Sequence, residues 1–151
     1  MSKQSCRNFL RWAAVGALFA GFAVANDHRA LNGVWQLIPA RSEFNGEPAI
    51  QTGTVTINDR ESNIFVQRNF NFDGSNQSTA TSFSTDSREK ATIKEPGFKS
   101  KTKWDGHVLT VTTTRGSETT LERYSLRADG TMMLQLDRPS HQPETLLFQR
   151  Q

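Results

Sequence analysis

Cysteine is nearly missing from this chain of 151 residues: there is one, Cys6. It stands ahead of the longest apolar run, so it is not placed as the acylated cysteine of a bacterial lipoprotein, which follows such a run. Residues 26–151 hold no cysteine, and no disulfide can staple them in any compartment. Long apolar runs are scarce too. Trp12 to Val24 is short of the roughly 20 residues that a spanning helix takes. Lys3, Arg7 and Arg11 precede it, and Ala23-Val24-Ala25 closes it. That order of a basic stretch, a short apolar run and small residues predicts a signal peptide over 1–25, cleaved after Ala25, and a periplasmic or secreted product starting at Asn26. No adjacent arginine pair points to twin-arginine export.

An excess of one charge sign is also absent once the leader is removed. The chain has 18 basic and 15 acidic residues, and three of the bases but none of the acids fall in 1–25. The remaining 15 of each sign leave no net charge, which removes the electrostatic argument for a nucleic-acid partner. Catalytic signatures are missing as well: there is no G-x-S-x-G, P-loop or Cys/His pairing. His28, His107 and His141 are scattered, without the spacing of a metal site. Glu118 and Glu122 share a strand face but stand roughly 13 Å apart, beyond any glycosidase separation. The residues therefore nominate no catalytic group, no metal site and no cofactor. Asn76-Gln77-Ser78 fits a glycosylation sequon, which matters only in a eukaryote.

What is present is period-two alternation. Residues 32–38 read as a first strand ending at Pro39, and Val55 and Ile57 mark a second. Ile64, Val66, Phe70 and Phe72 mark a third, and the Ser/Thr-rich stretch 77–85 a fourth. A short fifth over about 90–95 turns at Pro96-Gly97 into a sixth, where Phe98, Ser100, Thr102 and Trp104 alternate with three lysines. Further strands follow over 107–115, 118–127, 131–137 and 146–150. Three Asp-Gly pairs and one Pro-Gly pair separate these runs as hairpin signals. No amphipathic helix, low-complexity tract or second domain is evident. Hairpins from each strand to the next predict one all-β domain, residues 26–151, folded as an antiparallel up-and-down meander barrel of about eight to ten strands. Two connections are long, 39–51 and 138–145, and long loops on a compact barrel are usually functional or mobile.

The stretch Leu31-Asn-Gly-Val-Trp-Gln-Leu, with Gly33 and Trp35 in a G-x-W pattern, resembles the lipocalin signature. Extended through Pro39, Ser42 and Phe44, it is similar to uncharacterised exported lipocalin-like proteins of soil bacteria. The resemblance covers about residues 31–44 and is architectural beyond. It implies that Trp35 plugs the closed end of the barrel beneath a late basic side chain, with Arg150 the first choice and Arg123 the second. It also implies that 39–51 forms a partial lid. A count of ten strands is that of fatty-acid-binding proteins, whose helical pair after the first strand does not fit into 39–51.

Alternation puts Trp35, Leu37, Val55, Ile57, Ile64, Val66, Phe70, Trp104, Leu109, Val111, Met132, Leu134, Leu136, Leu146 and Phe148 inside. A hollow barrel would hold an apolar ligand there, and a filled one would be solid core. Arg68 interrupts the apolar parity of its strand, so it points inward, either to meet an anionic head group or to pair with Glu122. The candidate ligand site is therefore Trp35, Val66, Arg68, Phe70, Trp104 and Leu134, with a small apolar or anionic amphiphilic molecule as partner. Lys99, Lys101 and Lys103, preceded by Arg88, Lys90 and Lys94, form a basic stripe that reads as a solvated outer face. A carrier of such a molecule is the leading functional expectation. A ligand-free envelope interaction or inhibitor module working through the two long loops is the alternative.

Overall fold

The computed structural model describes residues 28–60, 63–84, 90–91 and 97–151. The expected signal peptide and the start at Asn26 lie outside the described residues, as do Arg88, Lys94 and most of the expected fifth strand. A single 3-10 turn, His28–Leu31, leads into β1 (Gly33–Leu37), and a second, Pro39–Arg41, follows it. The next strands are β2 (Thr52–Arg60), β3 (Asn63–Phe72), β4 (Ser75–Ser84), the two-residue β5 (Lys90–Ala91) and β6 (Phe98–Asp105). The last are β7 (Val108–Arg115), β8 (Glu118–Leu126), β9 (Met132–Asp137) and β10 (Glu144–Arg150). All pair in one antiparallel sheet ordered β4-β3-β2-β1-β10-β9-β8-β7-β6-β5.

Apart from β4 and β5, which stand at the two edges, each strand hydrogen-bonds its neighbour in sequence, and β10 returns to pair with β1, Trp35 opposite Arg150. β4 comes against β6 across the remaining gap. The result is a nearly closed up-and-down barrel, with nine strands of five to ten residues and the stub β5. Closure removes most of the unpaired backbone that an open sheet of this size would expose.

The expected inner face is the observed one over most of its length. Trp35, Leu37, Val55, Ile57, Ile64, Val66, Leu109, Val111, Met132, Leu134, Leu146 and Phe148 are buried, while Phe70, Leu136 and Trp104 are half-buried. Leu31, Ile50, Phe83 and Tyr124 join the same core. Lys99, Lys101 and Lys103 face outward and are exposed.

The opening stretch builds the closed end. Trp35 is 0 % exposed, and its Nε1 donates to the Leu31 carbonyl at 2.8 Å. The Arg150 guanidinium lies 4.3 Å from the centre of the Trp35 ring. It donates to the carbonyls of Asn32 and Ala30 at 2.5 and 2.7 Å. Gly33 makes room for it: a Cβ there would sit 2.6 Å from Arg150 Nη1, and its φ of +136° is a conformation that side chains disfavour. Further along, the Ser42 hydroxyl donates to the Ile38 carbonyl at 2.9 Å and accepts from the Leu147 amide at 3.0 Å. Phe44 packs on the core. Glu43 then forms a two-bond bridge with Thr145. Residues 39–51 are thus stitched along β10 and cross the other end of the barrel without a helical pair.

Candidate functional site

At the height of Arg68 the barrel changes character. Towards Trp35 the interior is packed with Ile64, Val66, Tyr124, Leu134 and Phe148. Towards the β3–β4 hairpin the large side chains give way to Thr79 on β4 and Thr120 on β8, and a cavity of ≈ 460 Å³ opens. Ile50, Phe70, Phe72, Leu136 and Leu146 supply its apolar wall. Gly53, opposite Phe70 on β2, leaves the ring its place, because a Cβ there would come within 2.6 Å of it.

The floor is polar. Arg68 Nη1 donates to Glu122 Oε1 at 2.8 Å, and the Tyr124 hydroxyl donates to Glu122 Oε2 at 2.7 Å. The Arg68 and Glu122 side chains are only 19 % and 8 % exposed. Burial opposes the Arg68 charge, but Tyr124 and Glu122 outweigh it and hold the guanidinium above its ordinary value. Burial, with Glu122 beside it, pushes the Tyr124 phenol well above its own. Nη1 carries the only hydrogen bond of the Arg68 guanidinium among the described residues, and Nε is buried without a partner.

A second cluster sits at the mouth. Arg138 pairs with Glu144 and, at 3.6 Å, with Glu47 of the 39–51 segment. His141 Nδ1 lies 2.8 Å from Glu47 Oε1, and the Asn45 amide donates to the Pro143 carbonyl. The two long connections are therefore tied to each other over the cavity. Burial raises the Glu144 carboxyl, with Arg138 opposing and Glu47 reinforcing the shift. A carboxyl raised on folding adds stability that is full below its unfolded value and is lost as pH rises through the folded one. Wild type should therefore lose stability relative to Glu144→Gln as pH climbs from about 4 towards neutrality. Melting temperatures of both proteins across that range check this, and a difference that stays constant with pH would contradict it.

Of the six residues nominated from the sequence, Arg68 and Phe70 line this cavity. Val66 and Leu134 lie in the packed half beneath it, and Trp35 lies under Arg150. Trp104 is at the closed end, stacked on the His28 ring with centroids 4.1 Å apart and planes 6° apart. Glu144 and Arg138 were missed, although the signal was there. Glu144 shares parity with Leu146 and Phe148, and Arg138 extends that of Leu134 and Leu136, by the rule that turned Arg68 inward. Ile50 and Glu47 carried no such signal, because they lie in a loop.

No family model and no curated protein matches this sequence. Solved structures do. The fluorescent protein UnaG superposes with a TM-score of 0.64 at 17% identity, over 80% of this chain and 96% of that one. A Schistosoma mansoni fatty acid binding protein in complex with arachidonic acid gives 0.59 at 16% identity, over 81% and 96% of the two chains. The chain folds as a fatty-acid-binding-protein-like barrel. Secretory abundant heat soluble protein 4 from Ramazzottius varieornatus gives 0.60 at 18% identity, over 82% and 96%. Identities this low establish the fold alone. Within it, the expected lipocalin-like meander of eight to ten strands fits coarsely, with nine full strands and the stub β5. The sequence argument against fatty-acid-binding barrels rested on the helical pair. Here β1 pairs with β10 and β4 comes against β6, with only two 3-10 turns beside the strands among the described residues, so a barrel of this type stands without it.

Proposed function

We propose that the chain is exported and binds a small apolar or amphiphilic molecule in the cavity beside Arg68. One observation carries the reading: a ≈ 460 Å³ cavity with an apolar wall between a polar floor and a charged mouth, within the roughly 300–1,000 Å³ usual for small-molecule sites. The tail lies against Ile50, Phe70, Phe72, Leu136 and Leu146, and the polar end turns to Arg68. The arachidonic acid held by one similar barrel has an apolar tail of the kind that this wall suits.

Native mass spectrometry of protein recovered from the periplasm or medium tests both halves of the proposal. The expected chain begins at Asn26 and carries a non-covalent adduct, and Leu136→Trp, which fills the cavity, releases it. An intact residue 1–25 segment would defeat the export half. An adduct retained by Leu136→Trp would place the ligand elsewhere.

A further inference from the structure

We propose that the ligand's polar end at the floor is a neutral hydrogen-bond acceptor, such as the carbonyl of an ester, amide or ketone, and not a carboxylate. The inference rests on the cavity reading above and names the ligand class for that site. It follows from the charges of the lining, which holds three carboxylates, Glu47, Glu122 and Glu144, against two guanidiniums, Arg68 and Arg138. Neither cation is available to an incoming anion. Arg68 is already balanced by Glu122 at 2.8 Å, and Arg138 stands between Glu144 and Glu47.

A carboxylate brought to Arg68 would meet Glu122 at a comparable distance. Attraction and repulsion would then largely cancel, leaving the cost of stripping water from the ligand's charge. Glu122 cannot turn away cheaply, because its second oxygen holds the buried Tyr124 hydroxyl. Hydrogen-bonding capacity is what the floor has to spare. Among the described residues, Arg68 uses Nη1 alone: Nε is sealed in without a partner, and the more accessible Nη2 has no bond. A carbonyl oxygen can accept from such a donor without bringing a charge. Thr79, Thr120 and Gln77, also in the lining, offer neutral groups for the remainder of a polar head.

The test is a matched twelve-carbon series, dodecanoate, methyl dodecanoate and dodecanamide, titrated into the mature chain by calorimetry at pH 8. The ester and amide should bind about tenfold or more tightly than the carboxylate. In Glu122→Gln, where Arg68 gains an uncompensated charge, the ratio of carboxylate to ester affinity should rise by about tenfold. Wild-type binding of dodecanoate equal to or tighter than that of the ester would overturn the inference while leaving the cavity reading intact. Failure of all three to bind would overturn both. The wild-type comparison decides the matter even if Glu122→Gln does not fold.

Discussion

Replacing Trp35 by alanine should cost about 3–5 kcal/mol of folding stability, the range for removing a large aromatic from a core. The ring is fully buried, so its removal leaves a void at the closed end. Its Nε1 bond to the Leu31 carbonyl goes with it, freeing an acceptor in a buried place. Arg150 also loses the face on which it lies, although its bonds to Ala30 and Asn32 can persist. A urea midpoint that falls steeply in Trp35→Ala, and much less in Trp35→Phe, is the expected pattern. A midpoint unchanged in Trp35→Ala would mean that the closed end does not hold the barrel together.

The second large effect concerns the floor. Arg68→Met keeps the length of the side chain and removes its charge, leaving Glu122 buried with the Tyr124 hydroxyl as its one remaining side-chain partner among the described residues. Breaking a buried pair from one side costs about 3–5 kcal/mol, because the stranded charge has no compensation. Adding Glu122→Gln should recover a large part of that loss, since the amide still accepts from Tyr124 and carries no charge. Denaturation of wild type, both single variants and the double variant forms a cycle that isolates the pair. Losses that simply add would show that the two groups do not interact in solution.

Much of this was legible in the residues. Alternation located the strands to within a few positions and chose the inner face, because a one-residue slip would turn every apolar side chain to water. It turned Arg68 inward and named Glu122 as its possible partner. The G-x-W stretch marked Trp35 and Arg150, whose contact is short because Gly33 has no side chain. What alternation could not supply was height along the barrel. Val66, Arg68 and Phe70 have the same parity, yet Val66 is in the packed half while Arg68 and Phe70 line the cavity. Trp104, with the same signature, lies at the far end against His28.

The sequence by itself determined an all-β meander without disulfides, its inner face, and an arginine turned into it, since these follow from the period of the strand and from local turn chemistry. Only the tertiary structure decided whether the barrel was hollow or filled, and the answer differs between its two ends. Filling depends on which side chains from distant strands share a level: Trp35, Tyr124 and Phe148 crowd one half, while Thr79 and Thr120 leave the other open. The stagger of ten strands sets those levels, and no local pattern within a single strand records it.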